Sequence, residues 1–341
     1  MGHKRLALEA GEDPVNNPIE YILECIDTIY SVHHKNGDIR RVNVNIAATT
    51  VENFRKLKDA GIGTYILFQE TYHKQSYLKL HPTGPKHDYD YHTEAMDRAM
   101  AGGIDDVGLG VLFGLEMYKY EFAGLIMHAE HLEAVHGVGP HTISVPRVKR
   151  ADDIDPDMFD NGIDDDTFTK IAACIRLAVP YTGMIVSTRE SEDVRRRLLQ
   201  VGISQVSGAS RTSVGGYTET ERPHDTEQFD VSDQRTLDEV VRWLMQTGHI
   251  PSFCTACYRE GRTGDRFMSL CKNGQILNCC HPNALMTLAE YLVDYASPET
   301  QRIGWDMIQS ELARIPKEAV RRIAGENIDA IRSSDRRDFR F

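Results

Sequence analysis

The sequence predicts an α/β chain in which parallel strands alternate with crossover helices, in the manner of a (β/α) barrel. One observation is a set of short apolar runs at 5–10, 42–48, 65–69, 107–113, 142–145, 184–187 and 205–207. Most are continuous rather than alternating, as expected of strands buried on both faces. A second is the amphipathic stretches between them, at 19–33, 51–60, 94–101, 120–135, 166–178 and 190–201. Strand–helix alternation implies right-handed crossovers and a parallel sheet. The third is the count: seven strands fall one short of a closed eight-stranded barrel, so an open barrel and a doubly wound sheet are the alternatives.

The start of the chain bears on that count. Met1 to Lys4 lead almost directly into the first strand with no preceding helix or cap. A first strand and helix are therefore expected to be missing, with Met1 an internal methionine; a naturally seven-unit fold is the plainer reading.

After about residue 250 the pattern changes. A cysteine-rich stretch from Cys254 to Cys280 carries Gly261, Gly264 and Gly274, and helical periodicity returns at 284–296 and from 298 to about 332. The expected domains are a partial barrel over 1–248 and a small, mainly helical, metal-binding domain over 249–341.

Composition narrows the function classes. A chain of 341 residues, 41% hydrophobic, has room for a barrel of about 250 residues plus an appendage. A formal charge of −12 argues against a nucleic-acid partner, which calls for a basic face. No apolar run reaches the roughly 18 residues needed to span a membrane. The opening residues lack a secretory pattern, so a cytoplasmic protein is expected. Its seven cysteines are then thiols, metal ligands or core residues rather than disulfides.

The strongest chemical motif is Cys254-x2-Cys257, with Cys280 twenty-two residues further on. Two cysteines three apart can hold one metal centre, and a third from a distant loop closes it. Three thiolates suit a 4Fe-4S cluster with one iron left open. A structural zinc site is the competing reading, with His281, Cys279 or Cys271 as fourth ligand. Cys279, adjacent to Cys280, leaves the third ligand ambiguous.

The remaining candidates stand at strand ends, where a barrel carries its active site. Gly11 and Glu12 end the first strand; glycine admits close approach, and a carboxylate accepts from an ammonium group. A simple Gly-Glu-Asp-Pro turn is the plainer alternative. Gln69 and Glu70 end another strand. Ser187 and Arg189 offer a hydroxyl and an arginine fork for a carboxylate, against a helix cap by Ser187 or Thr188 with a surface arginine. Ser210 lies in a small-polar run after the last strand. Gly108-x-Gly110-x3-Gly114 sits inside a strand, so it fails the context of a dinucleotide loop and points to close packing or ligand approach. Among fourteen histidines, His128 and His131 share a helix face and His141 opens a strand; any of them could bind iron. No G-x-S-x-G or Walker sequence occurs, so spacing alone names no reaction and no catalytic residue.

Longer stretches are more specific. LALEAGEDP (6–14), FQETYH (68–73), AMDRAMAGGIDDVGLGVLFGL (95–115), HAEHLE (128–133), GVGPHTISVPR (137–147), STRE (187–190), SGASRTSVGGY (207–217) and CTACYREGRTGDRFM with CHPNAL (254–285) resemble the radical-SAM tyrosine lyases of the HydG kind, which serve iron-only hydrogenase maturation. The resemblance runs over almost the whole chain. It extends through the barrel to ThiH, the thiamine-pathway 2-iminoacetate synthase, which lacks the cysteine trio.

The resemblance implies a radical-SAM (β/α)8 barrel lacking its first strand. It implies S-adenosylmethionine, L-tyrosine cleaved at Cα–Cβ to p-cresol and dehydroglycine, and carbon monoxide and cyanide formed from the latter for the hydrogenase H-cluster. Hydrogenase maturation proteins would be its partners. Cys254, Cys257 and Cys280 match the ligands of an auxiliary 4Fe-4S cluster with a labile iron. His131 matches that iron's histidine by position, with His141 in reserve. Gly11 and Glu12, with Gln69 and Glu70, match the S-adenosylmethionine site. Ser187 and Arg189 match the grip on the tyrosine carboxylate, with Ser210 nearby. One departure stands out: no C-x3-C-x2-C triplet exists for the second 4Fe-4S cluster, the one that cleaves S-adenosylmethionine. That cluster is expected in a missing N-terminal part, and this fragment is expected to be inactive alone. A ThiH-like synthase and a non-catalytic metal-binding module are the alternatives.

Overall fold

A computed structural model describes residues 1–150, 155–211 and 231–341. Seven parallel strands form one sheet that curls as a half-barrel, a barrel with a strand missing. They are β1 (Arg5–Glu9), β2 (Arg41–Asn45), β3 (Tyr65–Phe68), β4 (Val107–Gly110), β5 (Thr142–Ser144), β6 (Gly183–Val186) and β7 (Gln205–Val206), each beside the next in sequence. That order excludes the doubly wound alternative, in which strand order reverses partway.

Register follows from side-chain size. Tyr65 pairs with Val107 and Phe68 with Gly110, so the bulky end of β3 lies beside the bare end of β4. A Cβ on Gly110 would stand 2.4 Å from Cδ1 of Phe68. The strand glycines therefore serve packing, one of the two readings the sequence allowed.

The helices between strands start where the sequence supplies caps. Thr50 accepts from the Asn53 amide at 3.2 Å to open Val51–Asp59, whose Phe54 and Leu57 are fully buried. Each such side chain contributes about 1.5–3 kcal/mol. The long helix Tyr118–His136 ends at Gly137, whose φ of 73° suits glycine. The short helices Lys74–Leu80 and Tyr89–Thr93 were not expected, since Pro82, Gly84 and Pro85 break any periodicity between them.

By compactness the chain forms two units. One comprises residues 9–20 and 44–234, with the strand ends of the half-barrel. The other comprises 1–8, 21–43 and 235–341, so the expected boundary at 248–249 falls inside it. This second unit is largely helical, with Leu237–Gln246, Gly264–Lys272, Leu277–Asp294, Pro298–Ala313 and Glu318–Ser333. Leu285, Leu288 and Leu292 of Leu277–Asp294 are fully buried at its centre. That helix begins well before residue 284, and it runs through Pro282 near its N-terminal end. Cys280 thus sits in the first turns of a helix rather than in a loop.

Among the described residues, no helix is long and apolar enough to cross a membrane.

Candidate active site and metal centre

In the first unit, strand ends gather opposite charges. Past β1, Asp13 makes the turn: its Oδ1 accepts from the amides of Val15 and Asn16 at 3.0 and 2.9 Å. Glu12 is left half-buried beside it. Burial raises the Glu12 carboxyl above its usual range, and the Lys86 ammonium offsets part of that. Nothing lies within 4 Å of where a Cβ on Gly11 would be, so the backbone there is open to a ligand.

Past β3, Gln69 is buried and donates to Thr93 Oγ1 at 2.8 Å. Glu70 takes a φ of 64°, rare for a side chain of its size, and its carbonyl accepts from the Leu112 amide at 2.9 Å. Its carboxylate accepts from Lys86 Nζ at 2.7 Å. Strain of this kind persists where surroundings over-determine the backbone, commonly at functional sites. Thr71 donates to Glu121, and the Tyr72 amide donates to the same carboxylate at 2.8 Å, which fixes the loop to the Tyr118–His136 helix.

Past β6, Ser187 and Arg189 come together: the Arg189 amide donates to Ser187 Oγ at 3.3 Å. The following helix, Glu192–Gln200, is capped by Ser191 rather than by Ser187 or Thr188. Arg189 is half-buried, not a surface arginine. Burial pulls its guanidinium below the usual range, and the negative charges of Glu9, Glu70 and Glu190 pull it partly back. Beside it, Glu190 binds Arg147 through both oxygens, at 2.8 and 2.6 Å. On the helix before β7, Arg195 is fully buried, pairs with Asp233 and donates to the carbonyl of Ser207, just past β7, at 2.5 Å. Ser210 follows Ala209, whose φ is 55°. The rest of the 207–217 motif, 212–217, lies outside the described residues.

Sequence reasoning missed Lys86, Glu9 and His92 as members of this site. Lys86 sits in a polar loop after Gly84-Pro85, and only folding brings it to Glu70. His92 donates from Nε2 to the Phe68 carbonyl at 2.9 Å, and burial depresses it to about 4. Two cations, three carboxylates and a hydroxyl make the polar complement of an α-amino acid's ammonium and carboxylate.

In the second unit, the three candidate thiols share one electrostatic neighbourhood. Burial pushes the Cys280 thiol up to about 12, and Cys257, Cys254, Cys271 and Cys279 add to it. Burial also raises Cys254, and its Sγ accepts from the Ala256 amide at 3.4 Å. Arg5 and Arg262 act on Cys254 in the opposite sense. Arg262 also hydrogen-bonds the Cys257 side chain. Half-buried thiols that repel one another's charge, flanked by guanidinium groups, fit a metal–sulfur cluster, whose binding takes thiolates and carries net negative charge. Among the described residues, no three His, Cys, Asp or Glu side chains are grouped to hold a single metal ion.

The two histidine candidates have partners of their own. His131 lies on the exposed side of Tyr118–His136 with Nε2 2.8 Å from Asp97 Oδ1, an oxygen that also takes His136 at 2.9 Å. His141 is buried with Nδ1 3.4 Å from Asp106.

Comparison with known proteins adds the context. Residues 144–250 match the Biotin and Thiamin Synthesis associated domain. A crystal structure of HydG, a maturase of the [FeFe]-hydrogenase, superposes with a TM-score of 0.96 at 56% identity, over 100% of this chain and 74% of that one. HydG from Carboxydothermus hydrogenoformans gives 0.80 at 40% identity, over 96% and 70%. Methylornithine synthase, at 19% identity and 0.53 over 73% and 68%, shares the fold alone. The 2-iminoacetate synthases of Salmonella typhimurium and Escherichia coli are 27% and 26% identical over 253 residues, 74% of this chain. The chain spans only 64% of the length of those relatives.

Proposed function

Because the chain belongs to the HydG family of [FeFe]-hydrogenase maturases, we propose that it carries the tyrosine site and the auxiliary-cluster site of a radical-SAM tyrosine lyase. The intact enzyme would cleave L-tyrosine to p-cresol and dehydroglycine, and form carbon monoxide and cyanide for the H-cluster. S-adenosylmethionine, when bound, supplies the radical that attacks tyrosine. This chain has no C-x3-C-x2-C triplet to hold the cluster that generates it.

The observation that carries the proposal is the charge pattern at the strand ends. Arg189, beside Ser187 and next in sequence to the Arg147–Glu190 pair, suits a carboxylate; Ser210 lies at the next strand end. Glu12 and Glu70 suit an ammonium group, with Gly11 leaving room and Gln69 holding the loop. Lys86 would be displaced from Glu70, or would turn to the ligand's carboxylate. Cys254, Cys257 and Cys280 would hold the auxiliary 4Fe-4S cluster, which when bound supplies an open iron for the small product. His131 is proposed as the labile iron's ligand, and would exchange Asp97 for it. Identity at 56% to HydG against 27% to 2-iminoacetate synthase favours the maturase over the thiamine-type enzyme.

Anaerobic reconstitution with iron and sulfide, with iron counting and EPR, tests the cluster on this chain and on Cys257→Ala. About four or five irons per chain, lost in the variant, are expected. Zinc alone, or no metal, would remove the basis for the carbon monoxide and cyanide step.

A further inference from the structure

The candidate thiols stand on two separate pieces of chain, and a third piece links them. Cys254 and Cys257 belong to the loop and short helix ending at Arg259, and Cys280 to the Leu277–Asp294 helix. Residue Phe341 touches both. Its carbonyl accepts from Arg262, three residues after the first piece, and its amide donates to Asn283 Oδ1 at 2.9 Å on the second. Asn283 Nδ2 returns a longer bond to the Phe341 carbonyl at 3.4 Å. Asn283 itself is buried.

The residues before Phe341 repeat the pattern. Asp338 binds the Arg259 guanidinium through both oxygens at 2.6 Å each, while its amide donates to Glu290. Arg340 donates to Glu260 at 2.5 Å. Arg337 binds Asp294 through Nε and Nη2 at 2.9 and 2.7 Å. Arg259, Glu260 and Arg262 lie within five residues of Cys257; Asn283, Glu290 and Asp294 share the helix of Cys280. Asp338 takes a φ of 64°, a strained conformation retained where it is held on both sides. Arg40 joins the set, 2.9 Å from Glu290 and 3.2 Å from Asp338.

We infer that residues 335–341 act as a strap that sets the spacing between the Cys254/Cys257 piece and Cys280, and so retains the cluster. The inference rests on the reading of these cysteines as cluster ligands. It assigns positioning roles to Asp338, Arg340 and Arg262, none of which is itself a ligand. A cluster bound by three thiolates is lost when one thiolate drifts, so a strap that couples their two supports governs its release rather than its chemistry.

The test uses the chain reconstituted anaerobically, with the double variant Asp338→Ala/Arg340→Ala, which touches no cysteine. Far-UV circular dichroism should match the parent. Iron release to a chelator should be about 10-fold faster in the variant, with a changed EPR line shape, and Asp338→Glu alone should restore most of the retention. Equal release rates with identical spectra would overturn the strap. If the double variant does not fold, Arg340→Ala alone, which breaks an exposed ion pair, is read in the same way. If the parent takes up no iron, the cluster reading fails by itself. The strap is then judged on the metal-free protein by the yield of a short bifunctional thiol cross-link between Cys257 and Cys280. A lower yield in the variant supports it, and equal yields overturn it.

Discussion

Glu190 grips Arg147 through both carboxylate oxygens, at 2.8 and 2.6 Å, with both side chains almost wholly buried. The pair ties the end of β5 to the segment after β6, where Ser187 and Arg189 stand. Arg147 also packs over the Phe168 ring, 4.7 Å from its centroid, and donates to the Ile163 carbonyl at 3.1 Å. Removing one partner leaves a buried charge uncompensated. Glu190→Ala should therefore lower unfolding free energy by about 3–5 kcal/mol in a urea titration. A loss under about 1 kcal/mol would show that Asp165, which also pairs with Arg147, is sufficient by itself.

Arg189 is expected to act on ligand rather than on stability. Arg189→Ala should weaken L-tyrosine binding by about 10–100-fold, the worth of a charge-assisted hydrogen bond, measured by isothermal titration. Unaltered affinity would remove Arg189 from the tyrosine site.

Phe68 and Gly110 are expected to couple. Gly110→Ala places a methyl against the Phe68 ring and should cost about 1–3 kcal/mol. Phe68→Ala, at a half-buried position, should cost about 1–2 kcal/mol in lost apolar burial. In the double variant the new methyl meets no ring, so the combined cost should fall short of the sum by at least 0.5 kcal/mol. Strict additivity would refute the contact.

His92 should make stability depend on pH. Burial depresses its folded value to about 4, below the ordinary 6.5, so the unfolded chain binds the extra proton between those values. Its neutral form therefore contributes full stability above pH 6.5, and that contribution is lost as pH falls toward 4, by about 3 kcal/mol in all. Melting temperatures from pH 7 to 5 should fall less steeply in His92→Gln than in the parent. Parallel curves would show that other groups set the slope.

Much of the fold was legible because buried strands and amphipathic helices write their period into the chain. The run at 65–69 and the helix at 120–135 appear within about two residues of where they were expected. The helix at 277–294 was only half legible: Pro282 reads as a breaker, since it removes one helical hydrogen bond, yet the buried face from Leu285 to Leu292 keeps the helix continuous. The hairpin His33–His34 with Gly37–Asp38 was not legible, since two-residue strands carry no period.

The candidate site divides in the same way. Cys254, Cys257 and Cys280, and the strand-end residues Glu12, Glu70, Ser187 and Arg189, could be singled out because their type and spacing are local properties. Sequence by itself determined the alternation of strands and helices and the chemistry of those groups. Tertiary structure alone decided that Lys86 meets Glu70, that Glu190 holds Arg147, and that Phe341 spans Arg262 and Asn283. Those are pairings across 16, 43, 79 and 58 residues, made by polar side chains with one another or with the Phe341 backbone. Charge attraction has no period along a chain, so nothing but the folded path selects which partners meet.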